Sequence, residues 1–145
     1  MKKAILLLLT VASLMSCMTF FASANADDYG IQPFYSNVNS ATLDFVITDS
    51  GLAGVSVIYT GIQGVTTSVR CEIYIQKKNL GLFWNKVDIG ITDNVWVDTS
   101  NKFHDNFSHT HQLSSTGTYR AVFKVTFNGT GGSPDVVEDK IERKY

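Results

Sequence analysis

Polar and apolar residues alternate with a period of two along most of this chain, and that alternation limits the fold more than any other feature. From residue 41 to residue 48 the odd-numbered positions are Ala, Leu, Phe and Ile, which is the pattern of a strand with one buried face. Residues 53–59, 69–75 and 119–127 repeat the pattern. No ten-residue segment after residue 26 has the spacing of an amphipathic helix. The alternation therefore predicts an all-β protein.

Clusters of turn-forming residues divide the alternating segments. Asp49-Ser50-Gly51 and the glycine-rich stretch 128–134 are the clearest of them. Residues 83–91 are expected to form a strand, and Val95 with Val97 a shorter one. About seven strands, with turns roughly every 8 to 12 residues, are typical of an antiparallel immunoglobulin-like β-sandwich. The heavily charged segment 135–145 is expected to be an edge strand of that sandwich.

The segment Gly117-Thr118-Tyr119, preceded by Leu113, is similar to the tyrosine corner of immunoglobulin-like and fibronectin-like sandwiches. In that corner a tyrosine at the start of the sixth strand bonds through its hydroxyl to backbone upstream. Tyr119 is therefore predicted to be a structural residue. The position two residues later, where immunoglobulin domains have a cysteine, is Ala121.

The N-terminus has the three parts of a secretory signal. Two lysines precede an apolar run over residues 4–15, and Ala24-Asn25-Ala26 supplies the small residues of a cleavage site. This pattern predicts a signal peptide over residues 1–26 and a mature protein that begins at Asp27. Leu14-Met15-Ser16-Cys17 provides an alternative, because it loosely resembles a lipobox in which Cys17 would carry a lipid anchor.

Residues 27–145 are enough for one domain, of which 27–39 are expected to be an extended N-terminal segment. Cys71 is the one cysteine in this region, so an internal disulfide is excluded. Because Cys71 alternates with Val69 and Ile73, it is predicted to be a buried structural thiol. An exposed thiol that forms an intermolecular bridge is the alternative.

The charge of the chain argues against a nucleic-acid partner. Without the two lysines of the signal, ten basic and thirteen acidic residues remain. The basic residues form only the short pairs Lys77-Lys78 and Arg143-Lys144, so electrostatic binding to nucleic acid or to an anionic membrane is not expected. No stretch after the signal approaches the ~20 apolar residues of a membrane span.

Three histidines suggest a metal site. His109 and His111 alternate with polar residues on a predicted strand, which places both imidazoles on one face at a spacing that zinc and copper sites use. The site would need a third ligand, for which His104 and Asp105 are the candidates. The alternative is that His109 and His111 are partly buried packing residues.

The hairpin after the third strand offers a binding surface. If the turn at Lys77–Leu82 pairs Ile73 with Val87, then Trp84 and Tyr74 share the outward face, next to Gln76. Exposed aromatic rings stack on sugars or anchor protein partners in many binding modules. Alternatively, Trp84 covers the sheet edge or belongs to the core after a bulge.

Four segments resemble a family of small secreted immunoglobulin-like or fibronectin-like proteins of Gram-positive bacteria, whose function is uncharacterised. They are Ile31-Gln32-Pro33, the strand from Ala53 to Tyr59, Gln76-Lys77-Lys78 with Trp84 and Val87, and Gly117-Thr118-Tyr119-Arg120. The resemblance implies a fold and an extracellular location, and it brings no catalytic residues.

These observations predict a secreted, non-enzymatic binding or cell-surface module that needs no cofactor. Its partner is expected to be an extracellular protein or glycan. The chain has no Gly-x-Ser-x-Gly or His-Glu-x-x-His motif, and its carboxylates are scattered rather than paired. The alternative function is that of a small metal-binding or hydrolytic protein that uses His104, His109 and His111.

Overall fold

A computed structural model describes residues 35–145 of the chain. The predicted signal peptide, its cleavage site at Ala24, Ala26 and Asp27, and Cys17 lie outside the described residues. Within residues 35–145, no helix is long and apolar enough to cross a membrane.

The described residues form an all-β structure. Eight strands follow one another along this part of the chain, with a short 3-10 helix (Thr92–Asn94) before the fifth. They are β1 (Val38–Ile47), β2 (Leu52–Gly61), β3 (Thr66–Asn79), β4 (Phe83–Lys86), β5 (Trp96–Ser100), β6 (His104–Gln112), β7 (Thr118–Gly129) and β8 (Asp135–Lys144).

The strands form two antiparallel sheets. The first has three strands in the order β1-β2-β6. The second has five, in the order β4-β3-β7-β8, and β5 pairs with the first half of β3 while β4 pairs with its end. The charged strand β8 lies at an edge of this second sheet, as its composition predicts.

Alternate residues of both sheets form one hydrophobic core. The core includes residues of β1, β2, β3 and β7, and the largest of its fully buried side chains are Tyr59, Tyr119, Phe45, Phe123 and Phe127. The rings of Tyr59 and Phe127, which belong to different sheets, meet edge to face with centroids 5.5 Å apart. The period of two therefore places the predicted residues inward, and burial of their apolar surface stabilises the two sheets together.

Several details differ from the sequence-based expectation. Residues 35–145 contain eight strands rather than about seven. β4 ends at Lys86 rather than near residue 91. β5 begins at Trp96 and turns Trp96, Asp98 and Ser100 inward, whereas Val97 is exposed. A short strand is present near Val95 and Val97, as predicted, but it is a polar strand whose inward side includes a carboxylate and a hydroxyl.

The register of the β3–β4 hairpin is also shifted from the expected one. The backbone amide of Val87 bonds to the carbonyl of Ile75, at 2.9 Å, and not to Ile73. A shift of two residues keeps every side chain on its original face. Trp84, Tyr74 and Gln76 therefore still share the outward side.

The start of β1 is fastened to the β7–β8 turn by buried polar groups. The Asp135 carboxylate accepts hydrogen bonds from the backbone amides of Asn37 and Val38. The Asn37 side chain in turn donates to the Ser133 carbonyl at 2.8 Å and accepts from the Gly131 amide at 3.1 Å. A side chain at Gly131 would collide with the Ser36 carbonyl, so the approach of the two segments requires glycine.

Tyr119 is the second residue of β7. Its ring is buried, and its hydroxyl donates a hydrogen bond to the Ser115 carbonyl at 2.6 Å. The bond spans the loop between β6 and β7, which is the position that the sequence motif indicates.

Candidate binding face

The outward side of the five-stranded sheet brings together the aromatic residues that the sequence singled out. Tyr74 and Gln76 follow each other on the outward side of β3, and Trp84 pairs with Lys78 across the β3–β4 ladder. We call this surface, formed by Tyr74, Gln76, Lys78, Trp84, Lys86 and Arg120, the aromatic–cationic face. All of these side chains are exposed or half-buried.

Trp84 contacts two cations. The Arg120 guanidinium lies over the indole with 4.1 Å between its central carbon and the ring centroid, and the Lys78 ammonium lies 5.4 Å from the same centroid. Both distances are within the range of a cation–π attraction. Trp84 thus packs among the side chains of an outward surface.

Gln76 orients the arginine. Its side-chain oxygen accepts a hydrogen bond from Arg120 Nε at 2.7 Å, and the two residues are direct cross-strand partners. The bond uses the Nε–H of the guanidinium and holds its plane against Trp84. The guanidinium has further N–H groups that can donate to an anionic partner, such as a carboxylate or a phosphate.

Tyr74 forms the second part of the face. The Lys86 ammonium lies 4.7 Å from the centroid of its ring. Beside the ring is a surface depression of about 530 Å³. Its lining residues come from β3, β7 and β8 and are Tyr74, Val122, Phe123, Lys124, Glu138, Asp139 and Lys140.

The three cations of the face were not predicted from the sequence. Lys78 and Lys86 are each two residues after a predicted outward residue, Gln76 and Trp84, so the alternation places them outward as well. Arg120 is 36 positions beyond Trp84 along the chain, and only the pairing of β3 with β7 brings it near. Its one local signal is that it follows the inward-facing Tyr119, so the period of two turns it outward.

The three histidines do not converge. His109 and His111 lie on the inward side of β6 and are half-buried, whereas His104 lies on the outward side and is exposed. The outward position follows from parity, since 104 and 109 are separated by an odd number of residues. His104 instead pairs with the Thr60 hydroxyl, with 3.1 Å between its Nδ1 and the oxygen.

His109 contacts β5, at the junction between the two sheets. Its Nε2 lies 2.7 Å from the Asp98 carboxylate, and its ring stacks on Trp96 with centroids 5.0 Å apart. These contacts make His109 a packing residue that joins an edge of one sheet to the other.

Asp105, the other candidate for the third metal ligand, interacts with neighbouring side chains instead. Its carboxylate accepts a hydrogen bond from the Ser100 hydroxyl at 2.8 Å and lies 3.4 Å from the Lys102 ammonium. The hydrogen bond from Ser100 is the main reason why the pKa of Asp105 is lowered. Among residues 35–145, no three His, Cys, Asp or Glu side chains are grouped so that they could hold a metal ion.

Cys71 lies in the core between the sheets. Its side chain is fully buried, and β3 pairs it with Asp98 of β5. Burial, followed by the carboxylates of Asp98 and Glu72, raises the pKa of the thiol to about 12. The thiol therefore remains protonated at neutral pH, where a nucleophilic cysteine needs its thiolate form.

Comparison of the chain with models of protein families gave no match, and a search of curated proteins found none that is similar to it.

Proposed function

We propose that this chain is a secreted, non-enzymatic binding module with an immunoglobulin-like β-sandwich, and that it binds its ligand on the aromatic–cationic face. Secretion is inferred from the basic, apolar and Ala24-Asn25-Ala26 parts of the N-terminal segment. The same features agree with the resemblance to secreted proteins of Gram-positive bacteria.

The order of the strands supports the immunoglobulin-like assignment. In that fold the first, second and fifth strands share one sheet, and the third, sixth and seventh share the other. With the short strands β4 and β5 together counted in place of the fourth strand, β1, β2 and β6 correspond to the first set, and β3, β7 and β8 to the second. Tyr119 then lies at the start of the sixth strand, and its bond to Ser115 has the form of a tyrosine corner.

The observation that carries the binding assignment is the arrangement of Trp84 and Arg120 on an outward surface. Tryptophan and arginine are the residues most enriched among those that dominate binding energies. Here Gln76 holds the arginine against the indole before any ligand arrives. A preordered pair loses less conformational entropy on binding than two free side chains would.

The chemistry of the face fits an anionic extracellular glycan. The rings of Trp84 and Tyr74 offer apolar surface for sugar rings, and Arg120, Lys78 and Lys86 surround them with positive charge. Arginine and lysine bind carboxylate and phosphate groups through charge-assisted hydrogen bonds. A protein partner is the other outcome that the test below distinguishes.

A matched set of polysaccharides tests this proposal. The purified protein is titrated by calorimetry with a carboxylated polysaccharide, a phosphate-containing wall polymer and a neutral polysaccharide. We expect binding to at least one anionic polymer and no binding to the neutral one. We expect Arg120→Gln to lower the affinity for the anionic polymer roughly tenfold or more. Arg70→Gln, six residues before Gln76 on β3 and outside the aromatic–cationic face, is the control for charge alone. Equal binding of Arg120→Gln and the native protein, or binding of none of the polymers, would exclude the glycan assignment.

The alternative, a metal-binding or hydrolytic protein centred on His104, His109 and His111, has weaker support. His104 and His109 lie on opposite sides of β6, and Asp105 is engaged by Ser100. Zinc titration of the purified protein separates the two functions. The binding-module proposal expects no stoichiometric uptake of zinc, and uptake that is lost in His109→Ala would support the alternative.

A further inference from the structure

The turn between β3 and β4 exposes an apolar tip. Leu80 is 90% exposed, Leu82 is 75% exposed and Phe83 is 63% exposed. These are the three most exposed of the large apolar side chains in residues 35–145. They follow one another within four positions and so form a single patch, which is the kind of surface that marks an interaction site in a soluble domain.

The tip projects beyond the sheet. β3 continues past its last pair with β7, Lys77 with Tyr119, and β4 pairs only with the end of β3. Leu80, Gly81 and Leu82 connect the last pair of this ladder, Asn79 with Phe83. The tip residues therefore stand at the end of a two-stranded projection.

The fold itself does not need leucine at the tip. Leu80 has φ of 52°, in the left-handed region that favours glycine and asparagine over leucine. Its side chain is exposed, so it gains no burial in return. Both the backbone strain and the exposure are compensated if the side chain inserts into an apolar phase.

Lysines lie on both strands of the hairpin, at the base of the tip. Lys77 and Lys78 precede it on β3 and Lys86 follows it on β4, where the hairpin places Lys86 opposite Gln76. The fifteen residues from Ile73 to Val87 contain no acidic side chain. The composition of the whole chain hides this group, because Lys86 is separated from Lys77 and Lys78 in sequence and the acidic residues of the chain lie elsewhere.

We infer that the β3–β4 tip inserts into the surface of an anionic lipid bilayer. A bilayer surrounds a projecting apolar tip on all sides, whereas a protein partner needs an extended area of contact that three terminal side chains do not provide. Apolar side chains at the acyl boundary with lysines at the level of the headgroups are the arrangement by which peripheral proteins bind such membranes. The inference shares Lys78 and Lys86 with the aromatic–cationic face, but it is argued from the apolar tip and does not depend on the glycan proposal.

Vesicle sedimentation tests the inference. The processed protein is mixed with vesicles of phosphatidylcholine alone and with vesicles that also contain phosphatidylglycerol. We expect it to sediment with the anionic vesicles and to be released by salt, because the charge attraction is screened. Equal binding to both kinds of vesicle, or binding to neither, would overturn the inference.

A double substitution identifies the surface responsible. Leu80→Asn with Leu82→Ser removes the two most exposed apolar side chains of the tip, and asparagine accepts the left-handed backbone at residue 80. We expect at least a tenfold weaker partition to anionic vesicles with an unchanged melting temperature. Matched replacement of Ile58 and Val46, exposed on the other sheet, by Ser is expected to leave partition unchanged. Native partition in the Leu80/Leu82 variant would contradict the inference.

A fluorescent reporter shows whether the tip enters the bilayer. Phe83→Trp adds an indole at the tip, and we expect lipids brominated on their acyl chains to quench its emission more than they quench that of the native protein. If the Phe83→Trp variant sediments with the vesicles but its emission is quenched no more than that of the native protein, another surface makes the contact. Binding of the Leu80/Leu82 variant to polysaccharide distinguishes failure of this inference from failure of the glycan proposal.

Discussion

The two outward faces of this domain are built by the same alternation and have different chemistry. On the three-stranded sheet, β2 and β6 turn small or uncharged side chains outward, among them Ser56, Thr60, Ser108 and Thr110. Asp44 is the only Asp, Glu, Lys or Arg on the outward side of its described strands. The five-stranded sheet presents long charged side chains and two aromatic rings. Its charged outward residues include Arg70, Glu72, Lys78, Lys86, Arg120, Lys124, Glu138, Lys140 and Glu142.

The difference teaches that the period of two determines which side of the sheet a side chain faces, and that the residue type determines what the resulting surface can bind. Ordering a long lysine or arginine side chain costs about 1.5 to 2 kcal/mol of conformational entropy. Exposed ion pairs return about 0 to 1 kcal/mol, so stability alone does not explain the ordered charges of the five-stranded sheet. The binding role that we propose accounts for them.

The largest expected effect separates the two faces by ligand binding. Trp84→Ala should weaken binding by about 2 kcal/mol, roughly 30-fold, because the indole and its arginine contact are lost. Ile58→Ala, on the other face and 50% exposed, should leave affinity unchanged. Titration measures both, and thermal unfolding should show each variant within a few degrees of the native protein. If Trp84→Ala instead lowered the free energy of unfolding by about 3 to 5 kcal/mol, the indole would be a core residue.

The next prediction compares an inward tyrosine with an outward one in the same sheet. Tyr119→Phe should lower the free energy of unfolding by about 1 to 2 kcal/mol, since the Ser115 carbonyl loses its buried donor. Tyr74→Phe removes a hydroxyl from the outward surface and should change it by less than about 0.5 kcal/mol. Denaturant titration measures both. Equal values for the two variants would show that the Tyr119 hydroxyl does not hold the corner.

A third prediction concerns the inward side of β3, which should be chemically inert. Because the pKa of Cys71 is raised to about 12 in the folded protein, the folded state holds its proton above pH 9 while the unfolded state releases it. Stability from this group is therefore complete well below pH 9 and is lost as pH rises from 9 to about 12, by about 1 to 2 kcal/mol at pH 10.

The loss of stability at alkaline pH should be smaller in Cys71→Ala. The difference between the stability profiles of the two proteins isolates the effect of the thiol from that of other titrating groups. Native protein should also resist a thiol reagent until denaturant is added. Rapid labelling of the native protein would place the thiol at the surface and favour an intermolecular bridge.

The smallest effect tests whether the charges of the five-stranded sheet stabilise the fold. Lys124 and Glu138 form an ion pair at 3.5 Å with both side chains more than half exposed. Lys124→Gln should change the free energy of unfolding by less than about 0.5 kcal/mol, and added salt should have a similarly small effect. A loss of about 2 kcal/mol would mean that the charged face is needed for folding, and the contrast between the faces would lose its functional meaning.

Local pattern was sufficient for much of the fold. The inward positions of β2, β3 and β7 follow directly from alternation, because each strand has one face on the core. The pattern failed at β5, where Asp98 and Ser100 face inward and polarity no longer reports burial. It also missed the buried pair of Asn37 and Asp135, since polar residues 98 positions apart carry no mark of their contact.

The candidate site was predictable only in part for a similar reason. Tyr74, Gln76 and Trp84 belong to one hairpin, and an error of two residues in its register did not move them to another face. Arg120 completes the site through the pairing of β3 with β7, which no local pattern specifies. His104 was grouped with His109 by proximity in sequence, although an odd separation along a strand places them on opposite sides.

By itself the sequence determined that this chain forms strands and which side of most strands faces the core, because the period of side chains along a strand is a local property of the backbone. Only the tertiary structure decided which strands are neighbours. That choice placed Arg120 on Trp84 and His109 against Trp96. Such contacts join residues far apart in the chain, and they depend on how the two sheets bury their apolar faces together.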